Sequence, residues 1–216
     1  MNTPRLALTI TAIAFCSAPL GGCITVFPKS PQASLYRFEP DPAPKPAPTL
    51  PASFTTVALG EETFRSEEAG DRLAIIEGGR LAYVADARWA APAEILFVDA
   101  VVETFDAQAG ATRLVRRGGL AASPYLLGLQ VDRFEAVRPA ADDSPPTVVV
   151  RFRALLIRSK DRVLVGERTF ESSTPAKANR LSAIVPAYDA ALSTTLETLT
   201  AWVDDEVAGQ QQAGGY

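Results

Sequence analysis

Chemistry in this chain has to come from carboxylates, hydroxyls and two thiols, because its 216 residues include no histidine. That removes the commonest metal ligand, the usual general base near neutral pH and every His-dependent triad. A serine nucleophile would then lean on lysine. Lys29, Lys45, Lys160 and Lys177 read as tether, Pro-rich run, turn and loop, and none stands in a Ser-x-x-Lys spacing. Adjacent carboxylates occur at Glu61-Glu62, Glu67-Glu68, Asp142-Asp143 and Asp204-Asp205. In turns and helix ends they read as solvated charges, not as the separated acid and base of glycoside hydrolysis. Asp142-Asp143-Ser144 lacks the further ligands and the glycine of a calcium loop. Gly118-Gly119 lacks the helix and basic residue that a phosphate cradle needs. No catalytic, cofactor-binding or metal-ligating residue is assigned, and the chain is not expected to be an enzyme. A net charge of −4 argues against a nucleic-acid partner, since phosphate binding requires a cationic excess.

The thiols lead elsewhere. Residues 1–22 hold one basic residue, Arg5, then an apolar stretch from Leu6 to Ala18, shorter than the ~20 residues that span a bilayer. The proportions are those of a secretory leader. It ends in Leu20-Gly21-Gly22-Cys23, which matches the bacterial lipobox, Leu-small-small-Cys, at all four positions. In lipoproteins with this motif, the cysteine takes a diacylglyceryl group, the leader is cut before it and the new amino terminus is acylated. Cys23 is therefore the expected lipidation site. Cys16 would leave with the leader, and the mature chain would carry no free thiol, as suits an oxidising periplasm. Several acyl chains hold a membrane where a single chain is marginal. Ile24 follows, not the Asp that retains lipoproteins at the inner membrane of enteric bacteria. This favours the outer membrane, with the body facing the periplasm.

The elements behind the anchor follow from periodicity. Residues 23–33 form a tether, and the domain is expected over 34–207, interrupted by a Pro-rich insertion at 39–51 and followed by a disordered tail at 208–216. Short strands are predicted at 34–38, 54–59, 72–77, 80–86 and 112–116, with Gly78-Gly79 turning a hairpin. Three longer alternating runs at 125–137, 147–158 and 162–172 predict an antiparallel meander. Ala93–Ala107 reads as a helix with Ile95, Val98, Val102 and Phe105 on its core face. Arg180–Val207 reads as a long helix striped by Leu181, Val185, Tyr188, Leu192, Leu196, Leu199 and Val203. Arg116-Arg117 reads as a solvated edge, Arg151 and Arg153 as lying on the sheet face away from the helices, and Trp89 and Trp202 as core. The fold class is α+β, an antiparallel sheet of five or six strands with two helices packed on one face.

With these elements in order, the chain resembles the ABC-type transport auxiliary lipoprotein family, PqiC-like components of MCE-type lipid transport systems. The resemblance rests on Cys23, Tyr36-Arg37-Phe38, RLAYVADARWAAPAEIL at 80–96, YLLGLQVDRFEAV at 125–137, RVLVGERTF at 162–170 with Pro175-Ala176, and Ala201-Trp202-Val203. It implies a lipid-anchored periplasmic subunit without catalysis, docking an MCE-family protein at the outer membrane. The implied partners are that protein and its ABC permease/ATPase complex. Phospholipid, and a second copy of the chain through exposed sheet edges, are further candidates. The rival reading is an envelope scaffold or assembly lipoprotein holding another outer-membrane or cell-wall partner. A buried, converging Ser–Lys or Asp–Glu pair would instead mark an anchored hydrolase.

Overall fold

The computed structural model describes residues 33–39, 54–108, 110–116, 123–139 and 143–213. The expected leader, Cys23, the tether to residue 32, and residues 40–51 of the Pro-rich stretch lie outside them, as do Lys29, Lys45, Arg117, Gly118-Gly119 and Asp142. The elements run β1 (Ser34–Tyr36), β2 (Thr55–Phe64), α1 (Ser66–Ala69), β3 (Arg72–Glu77), β4 (Arg80–Trp89) and α2 (Ala93–Gln108). After them come β5 (Thr112–Val115), β6 (Tyr125–Arg138), β7 (Thr147–Arg158), β8 (Val163–Pro175) and α3 (Leu181–Ala213).

Short connections decide the antiparallel pairings. Gly78 and Gly79 take φ of 54° and 80°, the left-handed pair a tight hairpin needs, and β3 folds back on β4. The turn after Arg158 likewise returns β8 along β7, and β7 lies antiparallel to β6 from end to end. This is the expected meander. Distant strands complete the sheet differently. β2 and β3 both lie parallel to β6, one beside each half of it, while β5 joins β2 and β1 joins β4, again in parallel. The α+β class stands, and helices pack against the sheet. Among the described residues the sheet has eight strands, not five or six, and is mixed, not antiparallel. Long connections leave strand direction open, so nothing local announces a parallel neighbour.

Alternation along β6 and β7 sends Leu127, Leu129, Val131, Val150, Phe152, Ala154 and Leu156 to one buried face. Helices α2 and α3 cover it, and a chain of ring contacts crosses the core. It runs from Phe38 through Trp89, Tyr188, Phe134, Phe64, Phe97, Phe152 and Phe170 to Trp202. Both tryptophans are thus core, as expected. The stripe on α3 is also as expected, with Val185, Tyr188, Leu192, Leu196, Leu199 and Val203 all buried. The face of α2 is not. Ile95 is 49% exposed and Val98 and Val102 are half-buried, while Leu96, Phe97, Ala100, Val101 and Phe105 face inward. The run Ile95–Val98 is apolar all round, so its periodicity could not select a face.

The far end of α3 corrects the expected tail. The helix continues through Ala213, held by Arg158 Nη1 donating to Gln210 Oε1 and Gln211 Nε2 donating to Thr55 Oγ1. Asp204, read from sequence as solvated, is a tie between layers. Its Oδ1 accepts the Thr112 backbone N–H at 2.9 Å and the Thr112 hydroxyl at 2.6 Å, fixing α3 to β5. Asp204→Ala leaves a partly buried amide without a partner and is expected to cost about 1–3 kcal/mol in a urea titration. An unchanged midpoint would remove Asp204 from the account of how α3 is held.

Candidate functional site

The charged residues singled out by sequence resolve into surface pairs. Arg116 bonds Asp99 at 2.5 Å. Arg151 and Arg153 alternate with buried Phe152 and are exposed on the uncovered sheet face, where they pair with Glu171 and Glu167. Asp143 accepts from Asn179, and Lys160 and Lys177 are exposed. Pairs like these, half in water, contribute little stability. Among the described residues no group of three or more Asp, Glu, His or Cys is arranged to hold a metal ion.

One carboxylate pair is different, and sequence reasoning missed it. Glu67 is half-buried beside Arg65, but Glu68, on the single turn α1, is only 4% exposed. Its Oε2 accepts the Phe134 backbone N–H at 2.6 Å, and its carboxyl hydrogen-bonds that of Glu135, itself 5% exposed. Two carboxyl groups share a hydrogen bond only when a proton lies between them. Loss of water, then the neighbouring Glu135 carboxyl, push Glu68 up to about 8. Arg133 Nε donates to Glu135 Oε1 at 2.7 Å. The Tyr188 hydroxyl is fully buried with no hydrogen-bond partner among the described residues, and burial raises its pKa far beyond the usual phenolic range. Between Glu68 and Glu135 the chain passes through β3, β4, α2, β5 and most of β6, so no local pattern could reveal the pair. With both acids nearly sealed, the pair cannot meet a substrate. Its chemistry is structural, pinning α1 to β6. A second acid, Asp189 on α3, is pushed up to about 6 by burial, and its Oδ1 accepts the Glu39 backbone N–H.

The open concavities lie elsewhere. On the sheet face away from the helices, β2 bulges between Leu59 and Glu62, placing Gly60 and Glu61 opposite Gly128 of β6. A Cβ at Gly60 would approach the Leu127 carbonyl oxygen to 3.2 Å, which accounts for glycine at that position. A cleft of about 330 Å³ opens here, lined by Leu126, Gly128, Leu155, Ile157, Glu61 and Arg162 among others. A second cleft, of about 400 Å³, lies at the start of α3 between Ile75, Val84, Arg138, Arg180 and Leu181. Arg138 is occupied there by its ion pair with Glu77. Leu35, Phe54, Leu81, Val163 and Leu164 add exposed apolar surface. No helix among the described residues is long and apolar enough to cross a membrane.

Comparison with known proteins agrees with this architecture. A crystal structure of the protein XCC0632 from Xanthomonas campestris, assigned to DUF330, superposes with a TM-score of 0.68 at 27% identity. The match covers 84% of this chain and 99% of that one. A second crystal structure, of an uncharacterised protein, superposes at 0.58 with 15% identity over 82% of this chain and 99% of the other, a likeness of fold alone. No curated protein sequence matches significantly. The family model described as the ABC-type transport auxiliary lipoprotein component matches residues 37–199, from just after β1 to the middle of α3. On that span the chain belongs to the ABC-type transport auxiliary lipoprotein family, whose members serve ABC-type transport in the bacterial envelope.

Proposed function

We propose that this chain is a non-catalytic, lipid-anchored periplasmic subunit of an MCE/ABC-type lipid transport system, holding the periplasmic MCE component at the outer membrane. The observation that carries it is the order of two signals: the Leu20-Gly21-Gly22-Cys23 lipobox, then a transport-auxiliary domain matched over residues 37–199. Acyl chains on Cys23 would confine the body to a thin shell at the membrane. Confinement raises the effective concentration of any docking contact, so a weak one is still occupied. The absence of Asp after Cys23 supports the outer-membrane side.

Affinity recovery of the chain from detergent-solubilised envelope tests the partnership. An MCE protein with its permease and ATPase is the expected catch, and unrelated machinery would replace this reading. Cys23→Ala is expected to release the processed chain into the soluble periplasmic fraction, or to leave an uncleaved precursor at the inner membrane. Co-fractionation of that variant with the outer membrane would mean that the folded body, not the acyl group, provides attachment.

A further inference from the structure

The cleft at the β2 bulge has features that strand packing does not require. Its floor is apolar, with Leu126 on β6 and Leu155 and Ile157 on β7, all half-buried on the face that α2 and α3 leave uncovered. Between them lies Gly128, the fourth residue of β6. Unlike Gly60, Gly128 has no steric need to be glycine: a Cβ there would come no nearer than 3.7 Å to the Glu61 carbonyl oxygen and 3.9 Å to that of Leu155. Glycine weakens a strand interior; here, opposite the β2 bulge, it leaves the floor of the cleft open to close approach by another group.

The rim carries one charge of each sign. Glu61 and Arg162 are exposed, and neither makes a side-chain hydrogen bond or ion pair among the described residues. Three nearby arginines are already paired. Arg153 is taken by Glu167 and Gln130, Arg151 by Glu171 and Arg158 by Asp161. Arg162 is further set by its turn, with a left-handed φ of 60° and its N–H donated to the Arg158 carbonyl at 2.9 Å. A volume of about 330 Å³ is at the small end of ligand sites, room for a chain segment and not for a folded partner.

We propose that this cleft binds one zwitterionic phospholipid of the phosphatidylethanolamine class. An acyl segment lies over Leu126, Leu155 and Ile157, the phosphate meets Arg162 and the ammonium meets Glu61. The two rim charges match the headgroup in sign and number, and an anionic lipid would leave Glu61 opposed. The site rests on the sheet geometry and needs no partner protein. Its test is therefore separate from the envelope recovery above, and either can fail alone.

The test titrates the full chain with dihexanoylphosphatidylethanolamine below its micellar concentration, followed by calorimetry. Dihexanoylphosphatidylglycerol and inorganic phosphate are the comparison probes. Saturable one-to-one binding of the ethanolamine lipid is expected, roughly tenfold tighter than the glycerol lipid. Gly128→Leu fills the floor and should weaken it at least tenfold, and Leu155→Gln gives the same reading should the first variant not fold. Arg162→Ala should weaken both lipids about fivefold or more, whereas Glu61→Gln should abolish the preference between them. Binding of phosphate as tight as that of lipid would reduce the site to an anion contact and overturn the proposal. So would equal binding of both lipids by the unmodified chain, undiminished binding by Gly128→Leu, or no saturable binding at all. A peptide of a recovered partner that competes for the cleft while neither lipid binds would assign it to protein docking instead.

Discussion

Phe134→Ala is expected to lower the free energy of unfolding by about 3–5 kcal/mol, among the largest losses a single substitution can cause in this fold. Phe134 is fully buried on β6, and its ring lies 5.0–6.2 Å from those of Phe38, Phe64, Trp89 and Tyr188. It is the one ring that touches β1's flank, β2, β4 and α3 together, so the void left by alanine cannot be closed by one neighbour moving. Small domains have only about 5–15 kcal/mol to lose. Guanidinium unfolding measures the change, with Phe134→Leu as the volume-conserving control at about 1–2 kcal/mol. A loss below about 1 kcal/mol for alanine would mean that the ring cluster packs loosely and does not organise the core.

The second large effect is a dependence of stability on pH that originates at Glu68. In the unfolded chain this carboxyl titrates near the ordinary glutamate value of about 4.5, and in the fold near 8. The folded state therefore binds a proton that the unfolded state releases. Its contribution is fully present below about pH 4.5, declines as pH rises, and is lost once pH has passed through about 8. A fall of about 2–4 kcal/mol between pH 5 and 9 is expected. Asp189 shifts in the same direction and steepens only the acid end of the window, around pH 4 to 6. Glu68→Gln separates the two, because its amide can still accept from the Phe134 N–H and donate to Glu135 without titrating. That variant should be more stable than the unmodified chain at pH 9 and nearly flat from pH 6 upward. Identical slopes for the two proteins would remove the shared proton from Glu68.

Some of this was legible before any coordinates. Gly78-Gly79, the alternation in β6 and β7 and the stripe on α3 each encode structure within a few residues. Turn geometry and period are local properties, and these elements fall where they were expected. The ends of α3 and the buried face of α2 were not legible, because helix-forming polar residues and an all-apolar run leave the period silent. The cleft was not legible. Gly128 reads in the sequence only as one outward-facing position of an alternating run, and the bulge opposite it comes from a strand distant in sequence.

What the sequence by itself made legible is the expectation of a lipidation signal at Cys23 and the local elements behind it. The thiol, its small neighbours and the turn residues act through covalent spacing and short-range torsion. Tertiary structure alone decided which distant strands run parallel, which two acids distant in sequence are stripped of water together and which glycine faces open space. These are outcomes of long-range packing, where the energy of a residue depends on neighbours that sequence proximity does not supply.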